Sequence, residues 1–401
     1  MIKLKFKNLF IVVLLSGFCS LVTAQNKYDA KEIERIAPEA TTAETTLSFR
    51  DISPLKEAYI DTAPTDRKDG ILVGKLGDNG RNIVKIVKLA QEIAESKYGK
   101  YDSLLIAHKG KLLFESYYLR GRINLAHPQA SAVKAYTSLA LGRAIQMGYL
   151  TMADLDKPLI SFLKGIDSTK LVAGAEKITL HKALTMHGGL RVNNDKWEEL
   201  KKNPEPLQGQ GLVQTLLENT APITEESQIY NYGNHNPMLV MTVIDAVVPG
   251  TAKDFIEKEI LDKLGITNYS WYTHVSGLPQ AGWMVSMTSR DMLKLGSVVL
   301  NDGKWNGEQL ISKTYLAKAT TGIVKPTQDW MPENYRYGYF WYQSTLTSGD
   351  QSYNATFAWG GGDQRVIVID ELELTIVLTG HTREEKLMAQ ISNVVLPVFA
   401  K

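Results

Sequence analysis

The sequence predicts an α+β fold, in which one antiparallel sheet is built from both ends of the chain and a mainly helical region is inserted between them. Two observations predict it: strand-like apolar runs cluster near the two ends, and the residues between these clusters carry helix and loop signals instead. The strand-like runs fall at 103–108, 111–118, 337–342, 356–359, 365–370 and 374–379.

Helix signals are found before the first strands, through the middle and at the end of the chain. Apolar residues recur at helical spacing from Ile83 to Ile93, Thr179 fits the cap of a helix over 179–186, and Pro237 fits the first turn of another helix. A further helix is predicted from residue 287, and an amphipathic helix over 383–398 closes the chain.

These elements divide the chain into four predicted parts. We expect a signal peptide, an N-terminal arm, an α/β lobe assembled from two separate segments, and a helical lobe inserted between those segments. The respective boundaries are 1–24, 25–80, 81–149 with 281–401, and 150–280.

The chain start is typical of a secretory signal peptide, because three lysines precede a short apolar run that ends near Ala24. We therefore expect export across the inner membrane, to the periplasm or the exterior. No later stretch approaches the ~20 apolar residues that a membrane span requires. Cys19 is the only cysteine and follows Phe18, where lipoprotein processing favours a small residue, so we expect neither a lipid anchor nor a disulfide.

Charge and composition restrict the classes of partner. With 44% hydrophobic residues in 401, the chain can bury one or two substantial cores. Removing the signal peptide takes three lysines and no acidic residue, which changes the formal charge from +2 to −1. A near-neutral chain gives no electrostatic reason to expect nucleic acid.

None of the seven histidines lies in a metal-ligand pattern, so we expect neither a metal nor a cofactor.

Ser131 and Lys134 are the first candidates for chemistry. Three residues apart at the start of a predicted helix, their side chains share one face, so the amine can reach the hydroxyl. The alternative is that Ser131 is an ordinary helix cap. The same Ser-x-x-Lys spacing recurs elsewhere, but only Ser131 opens a long helix; the other pairs are Ser53 with Lys56 and Ser161 with Lys164.

Two further motifs follow in the chain. Tyr232-Gly-Asn234 precedes the helix near Pro237, where a phenol could relay protons and an amide could orient a substrate, although Gly and Asn also form ordinary turns. Trp359-Gly-Gly361 ends a strand, where the glycines permit close approach of a substrate, or simply form a hairpin.

Taken in this order, the three motifs resemble those of the serine β-lactamase and penicillin-binding-protein superfamily, and within it the class C-like hydrolases and esterases. The resemblance covers roughly residues 100–385 and implies a β-lactamase-like α+β fold. It implies Ser131 as the nucleophile, Lys134 with Tyr232 as the general base, and Asn234 as a supporting hydrogen-bonding residue. The backbone N–H groups of Ser131 and Gly362 would form the oxyanion hole.

The third motif departs from the commoner Lys-Thr-Gly. Trp359, Gly360 and Gly361 are the expected substrate-binding residues, and an indole replaces the cation that would bind a substrate carboxylate. Arg365 is the only nearby candidate to replace that cation. The resemblance therefore implies a secreted serine hydrolase acting on a small ester, amide or peptide. The alternatives are β-lactamase or D-alanyl carboxypeptidase activity, or a penicillin-recognising domain without turnover. Retention of all three catalytic side chains, Ser131, Lys134 and Tyr232, disfavours the domain without turnover.

Overall fold

The computed structural model describes residues 36–77, 83–383 and 386–400. The predicted signal peptide lies outside the described residues, as does the beginning of the predicted N-terminal arm. The elements below belong to one compact unit, Ala37–Lys401. Within the described ranges, no helix combines the length and apolar character needed to cross a membrane.

The strands of the described residues are β1 (Tyr59–Asp61), β2 (Leu72–Val73), β3 (Tyr101–His108), β4 (Lys111–Tyr117), β5 (His127–Pro128), β6 (Tyr269–Trp271), β7 (Val285–Met287), β8 (Lys304–Trp305), β9 (Glu308–Gln309), β10 (Arg336–Tyr337), β11 (Tyr342–Ser348), β12 (Gln351–Gly360), β13 (Gln364–Ile369) and β14 (Leu374–Gly380).

The helices of the described residues are α1 (Val84–Ala94), α2 (Val133–Gln146), α3 (Leu180–Leu184), α4 (Asn194–Lys202), α5 (Gly211–Glu218), α6 (His235–Val247), α7 (Ala252–Ile256), α8 (Ser289–Leu300), α9 (Lys313–Ala319), α10 (Leu387–Gln390) and α11 (Leu396–Phe399).

The main sheet joins the two ends of the chain, which confirms the predicted α+β fold. Its strand order is β1-β4-β3-β14-β13-β12-β11-β10, with every neighbouring pair antiparallel, and β2 adds to β4 in parallel. The central strands β3, β13 and β14 are buried along their whole length, because helices such as α1 and α8 cover the sheet. Strand β12 of this sheet contacts the turn that contains Ser131.

A small second sheet, β5-β7-β6, supports the segment that precedes Ser131. β5 pairs with β7 through His127 opposite Met287 and Pro128 opposite Ser286. The described part of the N-terminal arm contributes β1 and β2 to the edge of the main sheet. The predicted division into an α/β lobe and an inserted helical lobe stays a prediction.

Local predictions were mostly confirmed, with one clear error. The side chain of Thr179 caps α3 by accepting the N–H of Lys182 at 3.1 Å, as expected. The continuous strand predicted at 337–342 is wrong, because the chain leaves the sheet between β10 and β11. There the N–H of Tyr339 donates to the carbonyl of Ala319 in α9 at 2.9 Å, and the N–H of Phe340, which is left-handed with φ 64°, donates to the carbonyl of Leu184 in α3 at 3.2 Å. Neither N–H group therefore has a strand partner.

Candidate active site

Ser131 lies in a short 3₁₀ turn, Ala130–Ala132, that leads directly into α2. Ala130 is held in the left-handed region, φ 46°, a conformation that costs a non-glycine residue about 1–3 kcal/mol and is concentrated at functional sites. Gln129 braces the turn, since its Nε2 donates to a carbonyl of β5 at 2.8 Å and its Oε1 accepts the hydroxyl of Tyr136 on α2 at 2.8 Å. The hydroxyl of Ser131 therefore lies at the start of the helix, as predicted.

Lys134 lies one turn further along and is only 1% exposed. Its Nζ is 3.1 Å from Oγ of Ser131 and 3.1 Å from the carbonyl oxygen of Gly282. Burial lowers the pKa of Lys134, and the phenol of Tyr232 opposes that shift. A lowered pKa favours the neutral amine, which can accept a proton.

Tyr232 and Asn234 flank this lysine. The centre of the Tyr232 ring is 4.9 Å from Nζ of Lys134. A Cβ atom placed on Gly282 would lie 2.9 Å from Oδ1 of Asn234 and 3.3 Å from Nζ of Lys134, so the amide and the amine border the same point of the chain. The structure thus brings Ser131, Lys134, Tyr232 and Asn234 into one site.

Gly360 brings the end of β12 against the Ser131 turn. A Cβ atom on Gly360 would lie 3.1 Å from the backbone N of Ser131 and 3.0 Å from that of Ala132, and it would overlap the carbonyl oxygen of Gln129. Only glycine permits this approach. The glycine at 360 is therefore explained by packing against the Ser131 turn, and its predicted role in binding substrate stays a prediction.

The next two glycines differ from Gly360. A Cβ atom on Gly361 would meet no atom of the described residues within 4 Å, so this position borders open space. Gly362 is left-handed, φ 89°, and a Cβ atom there would lie 3.0 Å from the carbonyl oxygen of Gly380. The oxyanion role of the Gly362 N–H stays a prediction.

Trp359 lies next to Gly360 at the end of β12 and is 7% exposed. Its ring centre is 4.6 Å from the guanidinium carbon of Arg365, which lies directly opposite on β13. Arg365 is fully buried and forms an ion pair with Asp363. Arg365, the candidate to replace the lysine of the commoner motif, is therefore already paired with Asp363 inside the protein.

Two exposed tryptophans lie close to these residues, and neither was predicted as a site residue from the sequence. Trp330 is 55% exposed, with its ring centre 5.6 Å from that of Tyr232 and 5.7 Å from that of Trp359. Trp283 directly follows Gly282, whose carbonyl contacts Lys134, and is 48% exposed. Both lie in connecting segments without a motif, so the sequence carried no signal that would have placed them.

The fold thus places a buried lysine beside a serine at the start of a helix, and it packs a glycine at the end of a strand against the turn that holds this serine. The sequence matches the β-lactamase family over residues 98–390. The chain belongs to this family, which comprises serine hydrolases.

Solved structures share the fold at low sequence identity. An octameric penicillin-binding protein homologue from Pyrococcus abyssi is 17% identical, with a TM-score of 0.56 over 78% of this chain and 76% of that chain. A D-stereospecific amidohydrolase from Streptomyces is 15% identical, with a TM-score of 0.56 over 76% of this chain and 98% of that chain. A mutant class C β-lactamase is 14% identical, with a TM-score of 0.58 over 78% and 96%. No curated protein matches the chain.

Proposed function

We propose that this protein is an exported serine hydrolase that cleaves an ester or amide bond through an acyl-enzyme on Ser131. The observation that carries the proposal is the 3.1 Å contact between Oγ of Ser131 and Nζ of a lysine that is 1% exposed. A hydroxyl becomes a nucleophile when an adjacent base takes its proton, and burial keeps this amine available as that base.

Catalysis begins with proton transfer from Ser131 to Lys134. A neutral amine donates one N–H to the carbonyl of Gly282 and keeps its lone pair for the hydroxyl proton. Oγ of Ser131 then bonds to the substrate carbonyl carbon, and the carbonyl electron pair moves to the oxygen. When the C–O or C–N bond breaks, the leaving group takes the proton back from Lys134, with Tyr232 beside it as a relay.

Water completes the cycle by attacking the acyl carbon while its proton passes to Lys134. The bond from this carbon to Oγ of Ser131 then breaks, the acid leaves, and Lys134 returns the proton to Oγ. The developing oxyanion needs fixed N–H donors, and the backbone N of Ser131, at the start of α2, is the first candidate because the helix end favours negative charge. The close approach of Gly360 to that amide would place the following glycine segment on the other side of the oxyanion. We assign the second donor to this segment, at Gly362 as the family resemblance implies.

The side chains around the site favour a neutral substrate with apolar groups. Trp330 and Trp283 offer exposed indole surface, and Arg365 is paired with Asp363 and so does not replace the missing cation. We therefore propose uncharged acyl esters or amides in preference to anionic β-lactams.

The test is hydrolysis of p-nitrophenyl acetate by purified Ser131→Ala protein. We expect activity to fall to the background rate while the thermal unfolding temperature stays near that of the wild type, because the substitution removes one hydroxyl without leaving a large cavity. Ser161→Ala is the matched control, since it removes an exposed serine that belongs to another Ser-x-x-Lys pair. Undiminished turnover by Ser131→Ala would refute the proposal. A wild-type protein that is acylated once and does not turn over would favour the penicillin-recognising alternative.

A further inference from the structure

A buried carboxylate links three segments of the chain behind the candidate site. Asp102, on β3, is fully buried, and its Oδ2 lies 3.0 Å from Nε2 of His127 and 2.9 Å from Nδ1 of His381. Its Oδ1 accepts the backbone N–H of Arg120 at 2.9 Å. We call Asp102, His127 and His381 the His–Asp–His cluster.

The cluster is held by hydrogen bonds. Among the described residues, no group of three or more His, Cys, Asp or Glu is arranged to hold a metal ion. The distances from Asp102 to the two imidazoles, 3.0 and 2.9 Å, are those of N–H···O bonds. Both histidines therefore present a proton to the same carboxylate oxygen.

His127 has acceptors at both ring nitrogens. Its Nε2 faces the carboxylate of Asp102, and its Nδ1 is 2.9 Å from the carbonyl oxygen of Pro128. An ionised carboxylate can only accept, so Nε2 of His127 donates its N–H to Asp102. Burial alone would raise the pKa of Asp102, but the hydrogen bonds from His127 and His381 outweigh it and lower that pKa to about 2. The geometry describes a buried carboxylate held by three hydrogen bonds.

Each of the two histidines lies close in the structure or the chain to one segment of the candidate site. His127 begins β5 and precedes Ser131 by only four residues. His381 directly follows β14, and a Cβ atom on Gly362 would lie 3.4 Å from its Cα atom. The cluster therefore touches the segment before the nucleophile and the segment behind the glycine turn.

We propose that Asp102, His127 and His381 are positioning residues, which fix the distance between the Ser131 turn and the glycine turn that faces it. The inference rests on the proposed function, because it assigns the cluster to the geometry of that same site. The spacing of nucleophile and oxyanion donors is sensitive, and a misplacement of about 1 Å can reduce the rate about a hundredfold. Loosening one member should therefore reduce kcat and leave substrate binding largely intact.

The test compares His381→Ala with His381→Asn, since the side chain of His381 is 28% exposed and its removal should be tolerated. Asparagine carries an N–H group near the position of Nδ1 and can still donate to Asp102, whereas alanine cannot. We expect kcat for p-nitrophenyl acetate to fall about ten- to a hundredfold in His381→Ala, with KM within about twofold, and His381→Asn to recover most of the loss. His274→Ala is the control, because His274 bonds to Ser276 within its own turn.

The outcomes separate the inference from the proposed function. If Ser131-dependent hydrolysis is present and kcat is unchanged in His381→Ala, or is equally low in the Ala and Asn variants, the positioning role is wrong and the hydrolase assignment stands. If the wild type shows no Ser131-dependent hydrolysis, both fail.

Discussion

The closest steric constraint at the site is the packing of Gly360 against the Ser131 turn, and Gly360→Ala tests it. A Cβ atom there would lie 3.0 Å from the backbone N of Ala132 and would overlap the carbonyl oxygen of Gln129. Because both neighbours are backbone atoms, no side-chain rotation can relieve the overlap. The turn and the strand must therefore move apart.

The size of that movement follows from the contact. An ordinary carbon–oxygen contact is about 3.3 Å, so the carbonyl of Gln129 must withdraw by about 1 Å from the added methyl group. A shift of about 1 Å between nucleophile and oxyanion donors costs roughly a hundredfold in rate. We expect kcat/KM for p-nitrophenyl acetate to fall by about that factor in Gly360→Ala.

The control for this prediction is Gly165→Ala. A Cβ atom on Gly165 would lie 3.5 Å from Oε1 of Gln210, an ordinary contact, so the substitution adds a methyl group without displacing backbone. Its kcat/KM should stay within about twofold of the wild type. Wild-type activity in a correctly folded Gly360→Ala protein would show that β12 and the Ser131 turn do not need this approach, and would refute the geometric account.

Three further predictions concern the charges in and behind the site. Lys134→Arg should be inactive although it keeps the positive charge, because arginine does not release its proton. The wild-type rate should rise with pH through the lowered pKa of Lys134, because only the neutral amine can act as the base. Substantial activity in the variant would mean that another group is the base. Trp359→Lys should raise the kcat/KM ratio of a cephalosporin to an aryl ester by about tenfold, the lower end of the range for a charge-assisted hydrogen bond, since the new ammonium would lie beside Arg365. A wild-type enzyme that already hydrolyses both equally well would exclude Trp359 as the selectivity element. The pKa of Asp102 is about 2 in the folded protein against about 3.9 in an unfolded chain, so its ionised form contributes about 2–3 kcal/mol to the free energy of unfolding above pH 4, and this contribution is lost as the pH falls toward 2. Urea unfolding at several acidic pH values should show that loss in the wild type and a shallower dependence in Asp102→Asn, whereas equal slopes would contradict it.

The parts of the fold that the sequence predicted are those set by local patterns. The apolar runs of β3, β4, β13 and β14 are long, and turn residues such as Gly110 separate them, so their strands could be located in advance. The error at 337–342 has a nonlocal cause. Tyr339 donates its N–H to Ala319 of α9, a contact that only the assembled fold provides.

The site residues that belong to a local motif could be predicted from the sequence. The contacts that depend on residues far apart in the chain could not. Ser131 and Lys134 are one helical turn apart, so their contact followed from spacing alone. The carbonyl of Gly282 is 148 positions from Lys134, and no local pattern could pair them. The same holds for Asp102 and His381, which are 279 positions apart and meet because β3 and β14 are neighbours in the sheet.

The central claim is that Ser131 is the nucleophile, and covalent labelling tests it most directly. A fluorophosphonate probe forms a stable bond with an activated serine, and mass spectrometry of the digested protein identifies the modified residue. We predict one label, on Ser131, that is absent from Ser131→Ala protein and unaffected in Ser161→Ala protein. Labelling of a different residue, or equal labelling of the Ser131→Ala variant, would contradict the assignment.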